Sequence, residues 1–409
     1  MTRRPLSRSL DPLDDETLVG FLLRLARHNG TTPAQIAARM GLINETGGAP
    51  GVVSPWLLAD MDKPRLVRAA RAAHLTVPEA SKLLLAPMGH RYGLVSRRYQ
   101  PWTSPQQLGR PNRWVSMRTS QYCPPCLAGD DDPLGRLYGG AWKRAWRLPV
   151  VFACSRHQQL LSRTCPKCRA PGQFAPNGLI ARPGTEDLHP AQCRATSPTP
   201  HAGRGGRSVC GTDLARVRPP RPPVDADSLN VLLALQQRLD VLLSADGPQR
   251  ANSCGQLVAV AQYFIDLRVV ATLVLASWPE ASGFVATPNL AQAIGREAEQ
   301  RLRDSRRRTS GASKRPYGIN SLLSPMESPL TMGAVLGIAE RMLDAREKQW
   351  TRMVVDPLYS SALALHRDTF QELARLPGTS SALQEVLGVA KETMDSWNPE
   401  IYIRGPRNG

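Results

Sequence analysis

Seven of the eight cysteines in this 409-residue chain fall between positions 123 and 210, and most stand in pairs two residues apart. The pattern reads Cys123-x-x-Cys126, Cys154-x-x-His157, Cys165-x-x-Cys168, then single Cys193 and Cys210. Two ligands at that spacing can face one ion from a single tight turn, and zinc takes four thiolate or imidazole ligands in a tetrahedron. Pro124, Pro125 and Pro166 stiffen the turns inside the pairs. The first four residues therefore form a set of three cysteines and one histidine. Cys165 and Cys168 need two further ligands, and Cys193 and Cys210 compete for that role with His189 and His201. Spacing alone also leaves open a cross-braced arrangement in which alternate pairs share an ion. The plain alternative, a group of buried apolar thiols, leaves the repeated spacing unexplained.

Two zinc ions held this way are structural, because a catalytic zinc keeps an open position beside a group that moves protons. Asp130, Asp131 and Asp132 follow the first pair, but three consecutive acids in a Gly/Pro loop read as a solvated turn. A nucleobase deaminase needs His-x-Glu upstream of Pro-Cys-x-x-Cys, and no such tripeptide precedes this pair. A phosphate-binding loop, a nucleophile elbow and a His-Glu-x-x-His helix are also missing, so no enzyme activity is expected. Nothing after Met1 to Asp14 resembles a secretory signal, which points to a reducing, cytoplasmic setting where paired cysteines bind metal rather than each other. The most apolar window, Leu257 to Trp278, carries Asp266 and Arg268 near its middle and reads as a buried helix, so no membrane partner is expected.

Around the cysteine region the periodicity is helical, and the fold class expected is mainly α. Residues 14 to 28 place Leu18, Phe21, Leu22 and Leu25 on one face behind Asp14, Asp15 and Glu16, which suit the positive end of a helix dipole. Asn29-Gly30 stops that helix, and Thr32-Pro33 starts a short second one. Ser54 to Asp60, residues 64–75 and residues 77–85 continue the series. Residues 1–92 thus form a helix-turn-helix-like domain and 93–215 a tandem zinc-finger region of zinc-ribbon type. Residues 216–225, with four prolines in five positions, form a semi-rigid linker. Residues 226–409 form a C-terminal helical domain, with helices over Ala226 to Ser244, Gln256 to Trp278, Leu290 to Arg303, Thr331 to Asp344, Pro357 to Leu376 and Ser381 to Trp397.

The chain carries a formal charge of +18, with 52 basic against 34 acidic residues, and 45 of the basic residues are Arg. Such a field favours polyanions, and DNA is the first partner to expect. In a helix-turn-helix the second helix enters the major groove, which makes Arg24, Arg27 and Arg39 candidate contacts. An ordinary solvated face is the competing explanation for each. A basic run over 301–315 adds Arg301, Arg303, Arg306, Arg307, Arg308, Lys314 and Arg315, which can neutralise phosphates without reading sequence.

Between Tyr122 and Cys168 the residues resemble the zinc-binding core of the TniQ family, the target-selection proteins of Tn7-like and Tn5053-like transposons. The matching elements are Tyr122-Cys123-Pro124, Trp146-Arg147-Leu148-Pro149, Cys154-x-x-His157, Leu160-Leu161 and Cys165-Pro166-x-Cys168. The opening stretch from Asp11 to Gly30 and the closing Cys210-Gly211-x-Asp213-Leu214 are similar to the family's ends, so the resemblance spans about residues 10–215. It implies a non-catalytic adaptor that contacts a target-marking element and an AAA+ ATPase regulator. Some members of the family read DNA directly and others ride on RNA-guided complexes. The long spacer between Cys193 and Cys210 departs from the pattern.

Two rivals stand beside that reading: a zinc-stapled helix-turn-helix transcription regulator, whose metal region would stiffen a homodimer, and a zinc-containing nuclease or transposase. The second needs acidic metal ligands on a strand-rich fold, and the chain offers few strand patterns.

Overall fold

Thr17, and not the acidic run before it, opens the first helix in the computed structural model of the protein. The structure describes residues 6–43, 53–99, 114–129, 133–173, 188–198, 207–218, 222–309, 324–374 and 377–388. The Gly20 amide donates to Thr17 Oγ1 at 3.1 Å, capping helix α1 (Leu18–His28). Asp15 and Glu16 do not serve the helix dipole as expected, because other partners claim them. Asp15 accepts from Arg144 Nε and from the Ala145 amide, each at 3.1 Å, and Glu16 accepts from Arg24.

Every residue of α1 from Leu18 to Ala26 is buried, since the helix is covered on two sides. The Leu18 amide donates to the Leu83 carbonyl at 2.9 Å, and the Thr17 amide donates to the Trp142 carbonyl at 2.8 Å. A capping box between Thr32 and Gln35 starts α2 (Pro33–Arg39). After a 3-10 turn at Pro55–Leu58 come α3 (Lys63–Ala72), capped by Asp62, and α4 (Val77–Lys82), capped by Thr76.

The cysteine region carries short elements only: α5 (Pro124–Ala128), α6 (Pro133–Tyr138) and two antiparallel pairs. These are β1 (Ala153–Cys154) with β2 (Gln159–Leu160), and β3 (Thr196–Pro198) with β4 (Arg207–Val209). The linker expected at 216–225 is described only in part, with Leu214–Arg216 in a 3-10 turn and Asp225 capping the next helix, α7 (Ala226–Leu243).

The helix expected from Gln256 starts later. β5 (Arg250–Ser253) and β6 (Gln256–Ala259) form an antiparallel hairpin first, and α8 (Val260–Ala276) follows. The hairpin turn is Cys254-Gly255, both at positive φ (53° and 79°), the backbone of a two-residue primed turn. The Cys254 amide donates to the Leu343 carbonyl at 2.7 Å. A distant chain segment thus overrides the local apolar run.

α8 is buried along its length, and its charged residues sit in a protein interior. Asp266 accepts from Ser253 Oγ at 2.6 Å, from the Ser380 amide at 2.9 Å and from Ser380 Oγ at 2.5 Å. Around it lie α9 (Pro288–Thr309), α10 (Pro329–Leu343), α11 (Lys348–Ala374) and α12 (Ser381–Val386). Pro357, expected to open a helix, lies inside α11. Among the described residues no helix is long and apolar enough to cross a membrane.

One apolar core draws on all three segments of the chain, from Leu6 to Leu387. The Tyr92 ring packs at a tilt against Phe264 of α8, centroids 5.5 Å apart, and a Cβ on Gly93 would lie 2.2 Å from the Ala261 carbonyl oxygen. The buried Arg91 guanidinium donates to the carbonyls of Ala245, Gly247 and Pro248 at 2.5–2.6 Å.

Candidate metal centres

The first set of ligands converges from two local structures. Cys123 is the N-cap residue of α5 and Cys126 lies in its only turn, while Cys154 ends β1 and His157 sits in the turn to β2. His157 Nδ1 lies 3.4 Å from Cys123 Sγ, 3.3 Å from Cys126 Sγ and 3.4 Å from Cys154 Sγ, and Cys126 Sγ is 3.7 Å from Cys154 Sγ. A tetrahedral zinc with Zn–S of about 2.3 Å and Zn–N of about 2.0 Å requires S···S of about 3.8 Å and S···N of about 3.5 Å. The four donors fit such an ion.

The second set comprises Cys165, Cys168, Cys193 and Cys210, whose sulfur atoms all lie within 4.8 Å of one another. Cys165 to Cys210 and Cys168 to Cys193 are each 3.7 Å, again the edge of a zinc tetrahedron. The long spacer is closed by the β3–β4 pair, beside which the Cys210 amide donates to the Ala195 carbonyl at 2.8 Å and the Gly211 amide to the Cys193 carbonyl at 3.0 Å. The groups are therefore consecutive along the chain and not cross-braced. His189 stays out of the cluster, with its Nδ1 accepting the Ala191 amide at 3.3 Å. His201 and Asp130 to Asp132 lie outside the described residues.

Most of these sulfurs are shielded from water, and burial pushes the Cys193 thiol up from its ordinary value. Holding such a group as thiolate calls for a cation beside it. Two polar neighbours went unread in the sequence: Gln159 Nε2 donates to Cys123 Sγ at 3.1 Å, and Thr212 Oγ1 lies 3.1 Å from Cys210 Sγ. Thr212 stands two residues after the cysteine whose sulfur it touches, whereas Gln159, just past His157, reaches across to a cysteine 36 positions earlier.

Two arginines, Arg147 fully buried and Arg194 partly so, hold the clusters' surroundings. Arg147 donates to the carbonyls of Ser116, Met117 and Thr119 at 3.0–3.2 Å and to Gln173 Oε1, and burial pulls its pKa down to about 9. Arg194 donates to the carbonyls of Leu188, His189, Pro190 and Gln192. From the C-terminal half, the buried Gln236 of α7 accepts the Phe152 and Ala153 amides at 2.8 and 3.0 Å, joining α7 to β1.

The expected DNA contacts divide. Arg24 needs correction: it is 2% exposed and donates to Glu16 Oε2 at 2.7 Å inside the protein, because α1 is covered on the side where solvent was expected. Arg301 is 19% exposed and spends its donors on Glu297 and on the Ser324 and Pro325 carbonyls, so it braces a loop. Arg27 and Arg39 are exposed. Arg303 is 60% exposed, 3.8 Å from Glu299. Arg306, Arg307 and Arg308 lie in α9 with their side chains outside the described set, and Lys314 and Arg315 lie outside the described residues.

Fold and clusters together define a mainly helical protein with two sets of four cysteine or histidine side chains, each placed to hold a metal ion. Residues 7–161, from the strap before α1 through the first ligand set, match the TniQ family model. The second ligand set lies beyond the match. No curated protein and no solved structure is significantly similar to the chain.

Proposed function

We propose that the chain is a non-catalytic target-selection adaptor for DNA transposition, which engages target DNA or a complex that marks it and recruits an AAA+ ATPase regulator. The observation that carries the reading is the TniQ match over residues 7–161. The chemistry of the clusters supports it. Zinc is the ion that both the mixed cysteine–histidine set and the all-cysteine set suit, and when bound it supplies cross-links, not a reaction centre. Three thiolates and an imidazole, or four thiolates, fill a tetrahedral ion's positions and leave none for substrate.

The work of such a protein is positional: two partners anchored on one scaffold raise each other's effective concentration at one DNA site. The scaffold must then be stiff, and the shared core, the Arg91 clasp and the Gln236 clasp make one body of segments far apart in sequence. A direct test mixes the purified full chain with the AAA+ ATPase of its own transposon and target DNA. Capture of the ATPase by the chain, with no DNA cleavage in magnesium, is the expected result. Absence of capture, or cleavage lost on substituting single carboxylates, overturns the reading.

A further inference from the structure

Helices α1, α2 and α3 contain no Asp or Glu, and α3 holds four basic residues in ten. At 100° per residue, Lys63, Pro64, Val67, Arg68 and Arg71 share an arc of roughly 140°. All five are exposed, while Ala69, Ala70 and Ala72 on the other side are buried. Arg65, at the flank, is drawn to Asp62 at 3.8 Å. Lys63, Arg68 and Arg71 have no ion-pair partner among the described residues. Like charges three residues apart on a helix repel, and no acid on α3 relieves them. Arg68 also reaches towards α2, where a Cβ on Gly41 would lie 3.5 Å from its Nε, so the exposed Arg39 two residues earlier borders the same surface.

We propose that this outer face of α3, with Arg39 at its border, docks the phosphate backbone of duplex DNA. The proposal rests on the adaptor reading and deepens it by naming the surface that holds the nucleic acid. A ten-residue helix is about 15 Å long, and Lys63 and Arg71 are about 12 Å apart along its axis. A duplex presents one phosphate charge per about 1.7 Å of axis, so the basic side chains reach separate phosphates from one rigid element. Val67, at 42% exposure, is the only large exposed apolar side chain on the arc, too little to anchor the face in a lipid surface.

The test titrates the full-length, metal-loaded chain into a fluorescent duplex across a range of salt, with the triple variant Lys63→Ala, Arg68→Ala, Arg71→Ala beside it. Three lost phosphate contacts shrink the weakening between about 50 and 200 mM salt by about 40-fold. The charge-keeping triple Lys63→Arg, Arg68→Lys, Arg71→Lys retains the wild-type slope, and Arg216→Ala with Arg218→Ala, exposed elsewhere, leaves it unchanged. Equal melting temperatures show that the variants fold. An unchanged slope in the alanine triple, an equal loss in the Arg216/Arg218 pair, or tighter binding of single-stranded RNA through the same residues overturns the proposal. ATPase capture measured on the same proteins separates the two ideas. Capture with an unchanged slope sinks only the α3 face, while a flattened slope without capture sinks only the adaptor reading.

Discussion

Replacing Gln236 with Met tests how the C-terminal helices are joined to the first ligand set. Gln236 is fully buried in α7, where its Oε1 accepts the Phe152 and Ala153 amides and its Nε2 donates to Asp240 Oδ1 at 2.8 Å. Methionine keeps the length and bulk but accepts no comparable bond, so two main-chain amides beside Cys154 lose their partners inside the protein. Each orphaned buried donor costs about 1–3 kcal/mol, which puts Gln236→Met at about 2–5 kcal/mol once the amide's own burial is relieved. Since each 1.4 kcal/mol is a factor of ten, hydrogen exchange at Phe152 and Ala153 should speed up by about one and a half to three and a half orders of magnitude. Exchange followed residue by residue at constant zinc content measures this, with guanidinium unfolding giving the global value. A loss under about 1 kcal/mol with both amides still protected would refute the reasoning, because it would mean that the β1 backbone is held by the metal hairpin alone.

Chelation at neutral pH should release two zinc ions per chain and make the seven cysteines between 123 and 210 reactive towards a thiol reagent, since structural zinc contributes on the order of 10 kcal/mol to small domains. A metal-free preparation with unchanged melting would contradict that. Burial raises Glu16 to about 7 against the pull of Arg24, so the folded state binds a proton that the unfolded state has released. Stability from this group is fully present below about pH 4.5 and is lost as pH rises through 7, about 1.4 kcal/mol of it between pH 6 and 8. Glu16→Gln should remove that slope in denaturant midpoints. Gly93→Ala should cost about 1–3 kcal/mol, because the new methyl meets the Ala261 carbonyl and α8 must shift. A wild-type melting curve for this variant would mean that the contact between residues 93 and 261 is loose.

The first ligand set was legible because its parts are local. Cys123 and Cys126 belong to one turn of α5, and Cys154 and His157 to one hairpin, so a two-residue spacing already says which atoms can meet. The second set was legible only as candidates, since Cys193 and Cys210 are brought together by a β-pair whose strands show no strong alternation in sequence. Helix content is legible where a cap and periodicity agree, as at Thr32-Pro33. It differs over residues 256–259, where the start of the apolar run looks helical but forms β6.

Arg24 shows the limit most plainly. Its place in an amphipathic helix suggested solvent, yet Leu83 on one side and Trp142 on the other close over α1 and leave it facing Glu16. Ligand chemistry, charge balance and the capped start of α2 at Thr32-Pro33 were determined by the amino-acid sequence alone, because each depends on residue type and on neighbours within a turn or two. Which arginines face water, which cysteines complete the second tetrahedron and where α8 begins were decided by the tertiary structure. Burial and long-range hydrogen bonding depend on which distant segment covers a residue, and no short window of sequence contains that partner.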